Sequence, residues 1–247
     1  MLQEERHHYI LGRIKAEKRL QVDALSKALE VSVDTIRRDL IELEKMGQLM
    51  RVHGGAIAND FHTPFQPVQV HAQKEKRKAA RKALTLLQDG MTLFAGGGTV
   101  IVEWARMLPE NLTGTLFTIS PLVALEAAQR SSIEVVLLSG KVSRSNYICM
   151  GPSVLNQIKD IRADLCFMST NGFSTREGIT DVDWEVMQIK KALMQASSKT
   201  AILSIAEKNG IAHPYRVCAI HEIDYLITEA PADDLAMTEY NGYCRVL

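Results

Sequence analysis

The chain has 247 residues, more than one small domain needs, so a small and a larger domain are expected. Hydrophobic residues make up 46%, enough for a sizeable core, and the formal net charge is zero, so nucleic-acid binding would have to rest on local charge and motif. Cys149, Cys166, Cys218 and Cys244 are widely spaced with no C-x-x-C pair, which points to neither a zinc site nor a disulfide framework and fits a reduced, cytoplasmic protein. The start is polar (Gln3, Glu4, Glu5, Arg6), unlike a secretory leader, and no apolar run approaches the ~18 residues that span a bilayer.

In chain order, Ile10, Leu11 and Ile14 sit at helical spacing behind Glu4 and Glu5, which suit a helix start. A second short helix fits Val22 to Leu29, with Val22, Leu25 and Leu29 on one face. After a tight break at Glu30-Val31, Ser32 is a good N-cap and Asp34 suits the first turn. Val33, Ile36, Leu40 and Leu43 then give a third helix, Ser32 to Met46, its apolar stripe, and Gly47 ends it. Gln48 to Ala56 suits a short strand and hairpin. Phe61, Pro64, Phe65 and Pro67 lie in a stretch of little periodicity that reads as a linker, and a basic helix follows from about Lys74 to Leu87. From residue 90 strand-like runs recur at Met91–Ala95, Leu116–Ile119, Glu134–Leu138, Leu165–Met168, Ala201–Ile205 and Tyr225–Thr228. Helical segments such as Val100–Leu108, Leu122–Arg130 and Glu185–Ala196 lie between them, which predicts an α/β domain with a mostly parallel sheet. The expected organisation is a winged helix-turn-helix over 1–57, a linker over 58–73 and an α/β effector-binding and oligomerisation domain over 74–247.

Two short helices, a tight turn and a hairpin wing make a DNA-reading unit of about the right size. With its stripe turned to the core, the third helix offers Thr35, Arg37 and Arg38 to solvent. Arginine pairs with guanine edges or phosphate, and threonine with a thymine methyl or a phosphate oxygen. Arg51 and His53 stand beside Gly54 and Gly55 in the wing. The plainer alternative makes Arg37 and Arg38 solvated charges paired with Asp34, Asp39 and Glu42. The basic run Lys74, Lys76, Arg77, Lys78, Arg81 and Lys82 is open between phosphate contact and a solvated face.

Residues 6–56 resemble the N-terminal domain of the DeoR family of bacterial transcriptional regulators. The resemblance is carried by Val31-Ser32, Thr35-Ile36-Arg37-Arg38-Asp39-Leu40, Leu43-Glu44, Gly47, Leu49, Arg51 and His53-Gly54-Gly55-Ala56. It implies DNA contact by Ser32, Thr35, Arg37, Arg38, Arg51, His53 and Gly54, with repression as the family default. Residues 74–247 resemble the effector domain of the same family. That implies a fold similar to ribose-5-phosphate isomerase and control by a small metabolite, typically a sugar phosphate.

The loop Ala95-Gly96-Gly97-Gly98-Thr99-Val100 lies after a predicted strand and before a helix, where glycines expose backbone N–H groups to an anion or simply make a tight turn. The effector-binding residues expected are Gly96, Gly97, Gly98, Thr99, Ser120, Gly140, Lys141, Gly151, Asn171, Asp183, Glu185 and Lys208. For Asp183 and Glu185 the alternative is an acidic helix start, and for Lys141 and Lys208 a surface lysine. Gly96 and Val100 depart from the family's L-D-S/A-G-T-T, Ile119 from its T-N, and Ile205 from its D-S-S-K, so side chains able to bond sugar hydroxyls or phosphate are missing.

A rival reading is a sugar-phosphate isomerase-like enzyme with Asp181, Asp183 or Glu185 as a base. Those acids cluster on one segment, and no Ser-His-Asp order, Walker motif or metal-ligand spacing appears, so no catalytic residue, metal or cofactor is expected. A third reading is an oligomerisation module with no ligand. Helix-turn-helix proteins read paired half-sites, so the expected partners are a double-stranded DNA operator, a small effector and further copies of the chain, with no membrane.

Overall fold

The computed structural model describes residues 3–17, 19–45, 48–52, 54–58 and 71–247, the side chains at 4, 15, 16, 45, 57 and 58 excepted. The chain divides into two compact units, Met1–Gln66 and Pro67–Leu247. The expected linker residues Phe61, Pro64, Phe65 and Pro67, together with Met46, Gly47 and His53, lie outside the described residues.

The first unit runs α1 (Gln3–Glu17), β1 (Arg19–Gln21), α2 (Val22–Leu29), α3 (Val33–Lys45), β2 (Leu49–Val52) and β3 (Gly55–Ala58). Ile10 and Ile14 of α1, Leu25 and Leu29 of α2, and Ile36, Leu40 and Leu43 of α3 close one core with Leu49 and Ala56. Ser32 caps α3: its Oγ accepts the Thr35 N–H at 3.1 Å, a contact worth about 1 kcal/mol. Asp39 also lies in the buried part of α3. Arg6 donates to both its oxygens, at 2.8 and 3.0 Å, so this carboxylate ties α1 to α3 rather than partnering Arg37 or Arg38.

The hairpin is a three-stranded antiparallel sheet in the order β1-β3-β2. The third strand, β1, was not expected, because three residues are too few to display a period. It forms because Leu20 pairs with Ala56 and buries its side chain. A Cβ on Gly55 would stand 2.0 Å from the Leu20 carbonyl oxygen, so only glycine lets these backbones meet.

The second unit opens with α4 (Gln73–Ala83), which stops earlier than predicted and gives way to a 3-10 turn at Leu84–Leu86. It continues β4 (Met91–Ala95), α5 (Thr99–Ala105), β5 (Gly114–Thr118), α6 (Pro121–Arg130), β6 (Glu134–Leu137), β7 (Lys141–Val142), β8 (Cys149–Met150) and α7 (Pro152–Lys159). Then come β9 (Ala163–Ser169), β10 (Gly172–Ser174), β11 (Gly178–Asp181), α8 (Trp184–Gln195), β12 (Ser197–Leu203), β13 (Tyr215–Cys218), β14 (Tyr225–Ile227), α9 (Leu235–Thr238) and β15 (Arg245–Val246).

Seven strands form one sheet, β15-β14-β12-β9-β4-β5-β6, and every pairing in it is parallel. The central strands β4 and β9 are nearly continuous in apolar residues, as burial on both faces requires. From β4 the chain steps to β5 and β6 on one side; it returns through α7 to β9 on the other side and continues to β12 and β14. Strand order therefore reverses between β4 and β9, and in open parallel sheets the crevice beyond the carboxyl ends of such a strand pair is where ligands settle. Two smaller sheets stand apart, the hairpin β7-β8 and the antiparallel β10-β11-β13; their strands are too short to read from alternation.

Candidate functional site

In the first unit the exposed surface of α3 carries Arg37 and Arg38. Arg37 donates to Asp34 at 3.1 Å with both side chains largely exposed, a pairing worth little and readily given up. Arg38 makes no ion pair among the described residues. Ser32 and Thr35 are linked through their hydroxyls at 2.9 Å at the start of the helix. Arg51 lies on β2 within 3.6 Å of Glu44, and its own N–H donates to that carboxylate. Gly54 is exposed at the hairpin tip with φ +78°, and its carbonyl accepts the Val22 N–H.

In the second unit the strand reversal brings two loops together. After β4, Gly96 donates its N–H to the Phe167 carbonyl, which leaves Gly97 and Gly98 to make the turn into α5. Gly98 has φ +104°, and a Cβ there would lie 2.4 Å from Ser169 Oγ. Ser169 Oγ donates to the Gly97 carbonyl at 2.7 Å, so β9 holds the glycine loop from below. Thr99 is half-buried at the first turn of α5. Ser120 is buried, and its hydroxyl accepts the Val123 N–H as the cap of α6. Thr118 joins these two strand ends by donating to the Ala95 carbonyl and accepting the Ser120 N–H.

Beyond β9 lies a cluster of charge. Lys190 Nζ donates to Asp181 at 2.6 Å and to the Ser169 carbonyl at 2.7 Å. Asn171 Nδ2 donates to the other Asp181 oxygen at 3.1 Å, and the N–H groups of Val182 and Asp183 donate to it as well. Burial would raise the Asp181 pKa, but the Lys190 charge and these hydrogen bonds outweigh it, so the carboxyl stays below the usual range. Lys208 Nζ donates to the Thr170 carbonyl at 2.6 Å. Burial pushes the Lys208 ammonium down to about 8, helped by the charges of Lys76 and Lys190 and opposed by Asp181 and Glu207. Lys190 and Asp181 thus form a direct ion pair at the strand reversal, and Lys208, Lys76 and Glu207 are near enough for their charges to act on one another.

Asp183 is the N-cap of α8, accepting the Glu185 and Val186 N–H groups on one oxygen. Its other oxygen accepts from Asn146 at 3.4 Å, in the loop between β7 and β8. Glu185 is exposed. That same hairpin presses Ile148 on the glycine loop, where a Cβ on Gly97 would meet its Cγ2 at 2.3 Å. Gly151 follows β8 and caps α7 with φ +102°. Gly140 is a packing glycine: a Cβ there would come 2.5 Å from the Met150 carbonyl. Lys141 is exposed on β7 opposite Met150, with no polar side-chain contact to the cluster among the described residues. A cavity of about 460 Å³ between α8 and β13, lined by residues such as Lys191, Arg216 and Glu222, shares no lining residue with the cluster.

Sequence reasoning named Lys208 and Asn171 for the effector, took Lys76 only as part of a basic run open to phosphate contact and gave Lys190 no role, although both lysines carried a signal. On α8, Lys190 takes a place in the buried row with Val186 and Leu193; on α4, Lys76 does so with Ala79, Ala80 and Ala83. A lysine where the helical period calls for an apolar residue is costly to bury, so it marks a site that needs a charge. Of the basic run on α4, Lys76, Arg77 and Lys82 are bound within the second unit, to His71, Glu103 and Ala230 respectively.

Comparison with known proteins accords with this geometry. Residues 6–61 match the DeoR-like helix-turn-helix domain, and residues 71–230 match the DeoR C terminal sensor domain. The HTH-type transcriptional regulator GolR of Listeria innocua is 31% identical over 91% of this chain and 90% of its own length. The HTH-type transcriptional repressor GlcR of Bacillus subtilis is 30% identical over 93% of this chain and 89% of its own. Among solved structures, ribose 5-phosphate isomerase A from Methanocaldococcus jannaschii aligns with a TM-score of 0.41 and 18% identity, over 54% of this chain and 53% of that one.

Proposed function

The chain belongs to the DeoR family of DNA-binding transcriptional regulators, and we propose that it represses an operon of carbohydrate metabolism under the control of a phosphorylated sugar or related anionic metabolite. The observation that carries the effector half is the group of lysines at the strand reversal. Lys208 and Lys190 face the crevice beneath the Gly96–Gly98 loop, and both are buried enough that an anion would relieve their mutual repulsion. Gly97 and Gly98 offer backbone N–H groups to the same anion, and Asn171, Asp183 and Ser120 border the crevice. The departures at Gly96, Val100, Ile119 and Ile205 remove hydroxyl- and phosphate-bonding side chains, so in this reading lysine charge and backbone supply most of the affinity. Exposed Glu185, the packing glycine Gly140 and exposed Lys141 are peripheral to it, while Thr99 and Gly151 stay with the loops at α5 and α7.

Operator contact is assigned to Ser32, Thr35, Arg37, Arg38, Arg51 and Gly54, with His53 carried by the family resemblance. Paired half-sites favour a homo-oligomer held by the second unit, acting in the cytoplasm. An isomerase-like activity has little support. Asp181, the best placed acid, is held ionised by Lys190 and already accepts hydrogen bonds on both oxygens, the opposite of a base poised near neutrality. Two measurements test the reading. Sequencing the genomic fragments retained by the protein, with and without a panel of sugar phosphates, should return sites beside carbohydrate genes whose retention falls with one of the panel. Arg37→Ala with Arg38→Ala should cost at least about 1–3 kcal/mol of operator affinity at fixed salt, and unchanged affinity would remove α3 from the interface.

A further inference from the structure

The crevice is connected to the stretch of chain that leads into α4. His71 Nε2 pairs with Glu207 at 2.9 Å, and Glu207 directly precedes Lys208 in the 3-10 turn. Lys76, one turn into α4, donates its ammonium to the His71 carbonyl. Between them, Ala72 sits in the left-handed region at φ 52° and ψ 44°, and its carbonyl accepts the Lys76 N–H at 3.0 Å. A side-chain-bearing residue there costs roughly 1–2 kcal/mol, so the turn persists only while its neighbours hold it.

Protein groups take up only part of the donor capacity of the ammonium groups around the crevice. Each carries three donors. Among the described residues Lys208 uses one, on Thr170, and Lys76 uses one, on His71, although Lys76 is only 8% exposed. Burial lowers the Lys76 pKa, offset in part by Glu207, Glu103 and Glu75. An anion with several oxygens offers a charged acceptor to both ammonium groups.

We propose that Lys76 is a binding residue for the same anion, and that its capture by the ligand frees the His71 carbonyl and loosens the left-handed turn at His71–Ala72. The effector's arrival is thereby passed to the segment preceding α4. This rests on the anion-binding reading above. The lysine trades one carbonyl acceptor for a charged one, and the turn loses the bond that spans it. A ligand shifts such an equilibrium only through a contact that differs between its two states, and the Lys76 ammonium supplies that difference.

The test uses the full-length protein with sulfate and inorganic phosphate as probes, followed by thermal shift and by hydrogen exchange. In the wild type, the probe should protect amides of the Gly96–Gly98 loop and speed exchange in residues 71–76. Lys208→Met should abolish both effects. Lys76→Met should weaken probe binding about tenfold or more, as loss of one charge-assisted hydrogen bond implies. Any remaining binding should no longer change exchange at 71–76. Lys76→Arg, which keeps the charge, should retain part of the response and guards against a folding defect in the methionine variant. If Lys208→Met loses the probe while Lys76→Met binds it unchanged, or if exchange at 71–76 stays constant on saturation, the role of Lys76 is overturned and the anion site stands. If neither probe stabilises or protects the wild type, both readings fall.

Discussion

Lys190→Met is the sharpest perturbation of the crevice. The Lys190 and Asp181 side chains are 10% and 2% exposed, and the bond between them is 2.6 Å. Removing the lysine leaves a carboxylate buried with Asn171 and two backbone N–H groups but without its hydrogen-bonded counter-charge, a situation that costs about 3–5 kcal/mol. Relief of the repulsion on Lys208 offsets a little of this, so a loss of about 3 kcal/mol is expected near neutral pH. Both tryptophans, buried Trp104 and half-exposed Trp184, lie in the second unit, so urea unfolding followed by their fluorescence reads the affected region.

The pH dependence carries a sign. In the wild type the Asp181 carboxyl is held below its ordinary 3.8, so its contribution is complete above that value and is lost as pH falls through the lower folded pKa. Without Lys190, burial raises the Asp181 pKa above the unfolded value. The variant's deficit is then largest at neutral pH and shrinks as pH falls toward 4. Adding Asp181→Asn removes the orphaned charge and should return part of the stability. A deficit below about 1 kcal/mol, or one that does not change with pH, would refute the view that this pair is a buried, mutually dependent charge.

Lys208 gives a second pH signature. Sulfate keeps its charge over this range, so its affinity should be flat below about pH 7. Above about 8 it should fall toward tenfold per unit as Lys208 deprotonates, with proton uptake on binding near pH 8 by calorimetry in buffers of different ionisation enthalpy. Because the folded pKa of about 8 lies below the ordinary 10.5, the unliganded protein should gain stability as pH rises between those two values. In the first unit, Glu30 holds the turn between α2 and α3 at φ 53°. Glu30→Gly removes that strain at some entropic cost and should raise first-unit stability by about 0.5 kcal/mol in thermal unfolding, without altering operator affinity.

Much of the fold was legible because it repeats a period. Leu25 and Leu29, Ile36 and Leu40, and the apolar runs of β4 and β9 announced their elements with boundaries within a few residues. The helix-turn-helix also concentrates its chemistry locally: Ser32, Thr35, Arg37 and Arg38 lie within two turns of one helix, so neighbours in sequence are neighbours in space. The strands β1, β10, β11 and β13 were not legible, because three or four residues show too little alternation and these strands exist only through their partners. The crevice lies at the other extreme. Lys76, Asp181, Lys190 and Lys208 come from four separate elements, and although Lys208 was expected at the effector site and Asp181 weighed as a base, nothing in the sequence brings the four together. What the amino-acid sequence determined alone was the family and the helix-turn-helix pattern, with the helix expected to read DNA, since motif and period are local properties. Only the tertiary structure decided which lysines are buried together, because that depends on the strand reversal between β4 and β9, a contact between segments some seventy residues apart.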